Sequence, residues 1–385
     1  MNPKDFKVRE AGRPVRAAGG YWAFLPAPLP PKLTYDPDLV RLLSTADAAL
    51  SELSGLGRLL PNAHLLIGPW MAREAVLSSR IEGTRASISD VLIDEVGGER
   101  VGAKPPDDVD EVRNYIGALE HGIQRLPKLP LSLRLVREIH AKLMKGVRGE
   151  TATPGKFRRT QNWIGAQGST PATAAYVPPP ATEMHACLDS WEKFLHQRGA
   201  MPDLVQCALM HEQFEAIHPF LDGNGRVGRL LITLFLIERG RLSQPLLYLS
   251  DYIDRHRKDY YELLQRVRTH GDWISWLRYF IDGVQVTAAD AAKRTTHVIE
   301  LREEFRKRVG DKLKALALVD QLFTNPYVTA AHAQQALQIS APTARKLLEF
   351  LAERKLIEKL GERRWAKLYL CRPVLEAIEQ RKAAS

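Results

Sequence analysis

Cysteine is scarce. Cys187, Cys207 and Cys371 stand far apart in 385 residues, with no CxxC pair among them. An odd, scattered set does not suggest a disulfide framework and fits a reducing compartment. Long apolar runs are also missing. No stretch approaches the roughly 20 residues that cross a bilayer, so no membrane association is expected. The opening Met1-Asn2-Pro3-Lys4-Asp5 has no apolar signal region, which adds the expectation of a soluble, cytoplasmic protein. Acidic residues are outnumbered, 45 against 55 basic ones, for a formal charge of +10. That excess favours polyanions such as nucleotides or nucleic acid, identifies neither, and is equally a solubility feature. There is no internal repeat and no low-complexity tract.

What is present is ordinary globular material, 45% hydrophobic and 26% charged. Its length suits about two or three domains. Residues 1–35, rich in Pro, Gly and basic residues, read as an extended arm. Residues 36–105 form an N-terminal helical segment: Leu39, Leu43, Ala46 and Leu50 recur at helical spacing, and Pro61 begins a second helix. That helix runs to Ser78-Ser79-Arg80-Ile81-Glu82-Gly83, with Gly83 placed as a C-cap. Glu82 at a helix C-terminus opposes the macrodipole, so it needs a partner or is simply hydrated. Gly97, Gly98, Gly102, Pro105 and Pro106 mark a loop.

Residues 106–308 read as a helical core: Asp107 to Arg125, Ser132 to Lys145, Thr182 to His196, Asp203 to Ile217, Leu230 to Arg239, Ser250 to His270, and Trp273 to about Arg308. One insertion breaks the pattern. Two short β-like runs, around Gln161-Asn162-Trp163-Ile164-Gly165 and Ala175-Tyr176-Val177, flank a Gly/Ser/Thr/Pro-rich tip. They read as a hairpin flap whose edge could hold an extended peptide or be purely structural. Residues 309–385 read as a separate winged helix-turn-helix: a helix over Thr329 to Leu337, a second capped by Ser340 with Pro342 in its first turn, then two strands about Gly361. Thr343, Arg345 and Lys346 lie early in the second helix, and Arg363 and Arg364 in the wing. DNA contact through residues 329–370 and a protein-interaction or homodimerisation module are both open readings. The fold class is mainly α, a helical core with a β-hairpin flap and a small winged module.

The chemistry concentrates in His218-Pro219-Phe220-Leu221-Asp222-Gly223-Asn224-Gly225-Arg226-Val227-Gly228-Arg229. Residues 223–228 spell GxGxxG, but helices rather than strands flank them, so the dinucleotide fingerprint fails on context. No GK[ST] and no HExxH occurs. An anion site remains. Gly223, Gly225 and Gly228 expose main-chain amides at a helix N-terminus, and Asn224 can add a side-chain donor. Arg226 and Arg229 are three apart on one helix face and suit a chain of phosphates. Asp222 is a natural Mg²⁺ ligand beside phosphate oxygens. His218 is placed to take a proton from a hydroxyl, and Pro219 favours an extended backbone at His218.

Residues 218–229 match, without departure, the HPFx[DE]GNGRxxR signature of Fic-domain proteins, which this chain resembles. Residues 161–165 and Pro178-Pro179 are similar to that family's flap, and residues 78–83 to its inhibitory [ST]xxxE[GN] motif. The arrangement of arm, inhibitory helix, core and winged helix is similar to a bacterial multidomain subgroup.

The resemblance implies AMP transfer from ATP to a Ser, Thr or Tyr hydroxyl of a protein, including the chain itself. His218 would be the base and Asp222 the Mg²⁺ ligand. Asn224 and the amides around Gly223 and Gly225 would bind phosphate oxygens within an ATP site spanning Val227 and Gly228. Arg226 would hold the β-phosphate and Arg229 the γ-phosphate. Tyr261 would contact adenosine, or else pack in the core. Asn162, Trp163, Ile164 and Gly165 would carry the target segment. Glu82 would pair with Arg229 and inhibit. Removal of AMP, transfer of another phosphoryl or nucleotidyl group, and a nucleotide-sensing DNA-binding regulator remain alternatives.

Overall fold

The N-terminal arm folds back on itself. In the computed structural model, which describes residues 1–59, 63–97, 108–147, 153–361 and 367–379, strands β1 (Gly12–Arg16) and β2 (Trp22–Pro26) pair antiparallel from Gly12↔Pro26 to Arg16↔Trp22. Pro14 is tolerated because β1 is an edge strand, where no donor is needed on the outer side. The expected extended arm is therefore a hairpin. Its driving force is apolar: Phe6, Ala23 and Phe24 are buried with Ala174, Tyr176 and Val177 of the flap. The loop expected at Gly98, Gly102, Pro105 and Pro106, the helix start at Pro61, and Arg363 and Arg364 lie outside the described residues.

The helices follow in order: α1 (Pro37–Leu59), α2 (Ala63–Ile81), α3 (Ile88–Glu95), α4 (Val109–Arg125), α5 (Leu133–Leu143), α6 (Ala181–Leu195), α7 (Asp203–Ile217), α8 (Asn224–Glu238), α9 (Ser250–Arg255), α10 (Arg257–His270), α11 (Trp273–Val309) and α12 (Leu313–Thr324). Then come β3 (Tyr327–Thr329), α13 (Ala330–Leu337), α14 (Ala341–Glu353), β4 (Glu358–Leu360), β5 (Leu368–Leu370) and α15 (Arg372–Glu379). Caps set several starts: Ser132 accepts from Leu135 N–H before α5, Thr329 from His332 N–H before α13, and Ser340 from Thr343 N–H before α14. α8 begins six residues before the expected Leu230, at Asn224, so the second half of the signature is its first turns.

The chain forms two compact units. The first holds Met1–Leu50, Gly117–Arg241 and Leu249–Val286. Its centre is α7, buried at every residue from Leu204 to Ile217, packed against α6 and α8. A helix enclosed all round belongs at a core centre. Yet α7 carries Gln206, His211, Glu212, Gln213 and Glu215 there, all buried. Buried polar groups need partners: Gln206 Nε2 donates to Phe194 O at 2.7 Å, Gln213 Nε2 to Ala27 O at 2.6 Å, and Glu212 accepts from Arg268.

The flap is slighter than the two strands expected. Only Ile164 and Tyr176 form a bridge, with N···O distances of 2.9 and 3.1 Å. Pro178, Pro179 and Pro180 have no N–H to extend a ladder, and the Gln161 side chain donates to Pro178 O instead, at 3.0 Å. Phe24 N–H donates to Val177 O at 2.8 Å, so β2 occupies one side of the flap.

The second unit holds Ser51–Ile116, Leu242–Tyr248 and Thr287–Ser385. It joins the expected N-terminal and C-terminal helical segments, cutting the chain differently from boundaries at 105 and 308. Within it α2 packs on α12, and the sheet order is β3-β5-β4, antiparallel throughout. Asn325 Nδ2 donates to Leu92 O at 2.8 Å and Thr329 Oγ1 to Val96 O at 3.1 Å, tying α3 and the residue after it to the residues on either side of Tyr327-Val328.

Candidate active site

His218 ends α7 in the left-handed region, φ 49° and ψ 61°, rather than the extended backbone expected before proline. Its N–H closes the last helical turn on Phe214 O at 2.9 Å. Its carbonyl, turned out of the helix, accepts from Arg158 Nε at 3.0 Å and Asn162 Nδ2 at 3.1 Å. Pro219 bars the right-handed continuation, and these two donors select the left-handed alternative. His218 Nδ1 lies 3.8 Å from Glu215 Oε2, one turn back on α7.

The loop is held from inside by Asn224. Its Oδ1 accepts from Phe220 N–H at 2.8 Å, and its Nδ2 donates to Phe220 O at 2.8 Å. The side chain expected to meet a phosphate is thus engaged in closing the loop. Gly223 sits at φ 77° at the N-cap of α8, where no side chain caps the helix. An uncapped helix N-terminus is a ready anion site. A Cβ on Gly223 would come 2.8 Å from Met144 Sδ.

His140, which sequence reasoning missed, braces the same turn. Gly155 N–H donates to its Nδ1 at 2.8 Å, so the proton is on Nε2, which donates to Asp222 O at 3.1 Å. Burial pulls its pKa down to about 4, so it stays neutral and holds this tautomer. Its ring stacks on Phe220, centroids 3.7 Å apart. Only its place in the apolar stripe of α5 could have flagged it, and there it looks like core.

Asp222 is half exposed. Its Oδ1 accepts from Gly223 N–H at 2.6 Å and stands 3.9 Å from Arg226 Nη2. One exposed carboxylate with one engaged oxygen fits a cation that arrives on a polyphosphate. Among the described residues no group of three or more His, Cys, Asp or Glu could hold a metal alone. Arg226 and Arg229 are both buried, and Arg226 Nη2 contacts Met144 Sδ at 3.7 Å.

Beneath them lies a second tier. His211 Nδ1 donates to Gly228 O at 3.1 Å, so its Nε2 accepts from Tyr260 OH at 2.9 Å. Gly228 has no room for a side chain: a Cβ would meet Glu215 Oε1 at 2.5 Å. Arg268 Nε donates to Glu212 Oε1 at 3.2 Å and its guanidinium covers the Tyr176 ring at 4.1 Å. Burial pushes Glu212 up to about 7 against the pull of Arg268.

On the flap, Asn162 Nδ2 also donates to Phe220 O at 2.8 Å, Ile164 makes the bridge to Tyr176, and Gly165 follows it. Trp163 is 40% exposed, its Nε1 donating to Ser169 O. Tyr261 is 44% exposed, edge-on to Tyr260, which is the buried member of the pair. Glu82 belongs to the other unit. It is exposed in the turn that ends α2, its N–H on Ser79 O at 3.0 Å, with Gly83 following at φ 98°.

Residues 40–124 match the family model described as Fic/DOC family N-terminal, and residues 130–236 that of the Fic/DOC family. The chain is 26% identical over 181 residues to Protein adenylyltransferase Fic of Drosophila grimshawi, covering 46% of this chain and 33% of that one. It is 29% identical over 159 residues to the protein of the same name from Aedes aegypti, covering 41% and 28%. The chain thus spans about a third of the length of these curated relatives. A solved structure of a Fic family protein from Desulfovibrio desulfuricans G20 shares the fold, with TM-score 0.59 and 21% identity over 89% of this chain and 98% of that one.

Proposed function

We propose that this chain, which belongs to the Fic/DOC family, transfers AMP from ATP to a protein hydroxyl and restrains itself through Glu82. The observation that carries the reading is the meeting of His218, at the end of α7, with the uncapped start of α8 in one short loop. His218 takes the proton of a Ser, Thr or Tyr hydroxyl, whose oxygen bonds to the α-phosphorus. The bond from that phosphorus to the bridging oxygen breaks, and pyrophosphate leaves. First-turn amides of α8 bind phosphate oxygens, Arg226 the β-phosphate and Arg229 the γ-phosphate. Asp222 would hold Mg²⁺, which would supply charge neutralisation for the phosphates. Positioning plus charge neutralisation carries most of such catalysis. Asn162 to Gly165 offer the acceptor segment an extended backbone, and Tyr261 an aromatic face for the adenine.

Glu82 inhibits by pairing with Arg229, which takes that guanidinium from the γ-phosphate. With α-labelled ATP and Mg²⁺, Glu82→Gly labels itself faster than wild type, and His218→Ala in that background does not label. Equal labelling of wild type and Glu82→Gly contradicts the inhibition.

A second reading concerns the C-terminal helices. Arg345 and Lys346 are exposed near the start of α14, the second helix of a helix-turn-helix order, which supports duplex DNA contact by a winged module. A gel shift lost in Arg345→Ala/Lys346→Ala supports that; an unchanged shift contradicts it.

A further inference from the structure

Arg158 lies in the flap approach and is 1% exposed. Among the described residues, every hydrogen bond of its side chain ends on a main-chain carbonyl. Nε donates to His218 O at 3.0 Å, Nη2 to Pro179 O at 2.6 Å and Ile217 O at 3.4 Å, and Nη1 to Thr160 O at 3.3 Å. Its own N–H donates to Pro219 O at 2.9 Å. A guanidinium buried without a carboxylate is costly, and four carbonyl dipoles are what offset it here.

Those carbonyls come from two places. Ile217 and His218 close α7 and present the imidazole; Thr160 and Pro179 flank the residues that bridge in the flap. His218 is held in a backbone region that non-glycine residues seldom occupy, and such conformations persist only where the surroundings over-determine them. Asn162 supplies the second donor to the same carbonyl and also reaches Phe220 O. The ATP-facing half of the loop has its own ties, Asn224 to Phe220 and His140 to Asp222 O, and meets the flap-side half at Phe220 O, which Asn162 and Asn224 share.

Resting on the reading of His218 as the base, we propose that Arg158 is a positioning residue: its planar fork locks the His218 backbone and the flap into one frame, fixing the separation between the base and the shelf that carries the acceptor. Lysine keeps the charge but loses the fork, so Arg158→Lys is not conservative at this site. Arg158 makes no hydrogen bond to residues 222–229. Its loss therefore impairs the transfer step while sparing ATP binding, and a misplacement of about 1 Å suffices for a loss of order 10²-fold.

The test uses the full chain carrying Glu82→Gly, with Arg158→Lys and Arg158→Gln added in turn. Self-labelling from α-labelled ATP should fall by about 10²-fold. The Kd of α,β-methylene ATP with Mg²⁺ should stay within about twofold of the parent. Amide hydrogen exchange should quicken at residues 160–164 and 216–222 while α8 stays protected. A Kd that rises in step with the rate loss, an unchanged rate, or protection lost alike over α7 and α8 would overturn the proposal. If the Glu82→Gly parent labels nothing, the transfer reading fails, and the exchange pattern still decides whether Arg158 holds the frame.

Discussion

Gly228 has the Glu215 carboxylate on one side and the His211 ring on the other, where a Cβ would approach to 2.5 and 3.3 Å. Alanine is the better helix former by about 1 kcal/mol, but overpacking in a buried helix pair costs about 1–3 kcal/mol. Gly228→Ala should therefore lower the urea midpoint despite the gain in propensity; an unchanged or higher midpoint would mean that Glu215 yields freely. His211 gives a pH prediction. Burial first, then the charges of Arg229 and Arg268, lower its pKa to about 3, against the opposing Gly228 carbonyl. An unfolded histidine titrates near 6.5, so between roughly pH 6.5 and 3 the unfolded chain binds a proton that the folded one refuses. Stability then falls as pH falls, by about 1.4 kcal/mol per unit. Glu212, raised to about 7, has the opposite slope over its own window. The difference between wild type and His211→Asn isolates the histidine: the variant should lose less stability on acidification, and parallel curves would contradict this. At this scale the signature was legible because its residue types are unusual together. His140 and Arg158 were not, since their roles depend on neighbours 15 to 82 positions away or on backbone carbonyls, which leave no mark in composition.

The flap shows what a single element owes to its surroundings. Its position was legible from the β-like runs around the Gly/Pro tip, but its support was not. One bridge cannot hold a hairpin, since isolated strand pairs are marginal in water. The added support is the N-terminal hairpin: Phe24 is 1% exposed, its ring 5.1 Å from Phe6 and 6.0 Å from Tyr176. Prolines and glycines in residues 1–35 made this segment read as an extended arm, although Pro14 occupies an edge strand and Gly19-Gly20 a turn. Phe24→Ala should cost about 3–5 kcal/mol and speed amide exchange at Ile164 and Tyr176. A small loss with unchanged exchange would show that the flap stands without the hairpin. Helix starts were legible where caps are local, as at Ser132, Thr329 and Ser340. The start of α8 was not, because a glycine N-cap leaves no side-chain signature.

On the scale of the whole chain, the order of helices was readable and their grouping was not. Periodicity reports which face of a helix is apolar, not which distant helix covers it. Residues 51–116 join 287–385 in one compact unit through contacts such as α2 on α12 and Asn325 on Leu92. The other unit gathers the arm, flap and signature loop. No helix among the described residues is long and apolar enough to cross a membrane. We propose that His218 directs AMP onto a hydroxyl under the restraint of Glu82. Intact-mass measurement with peptide mapping, on Glu82→Gly incubated with ATP and Mg²⁺, tests it most directly. A gain of one AMP per acceptor, mapped to a Ser, Thr or Tyr and absent when His218→Ala is added, is the predicted result. An unmodified mass, or a gain matching phosphate alone, would contradict it.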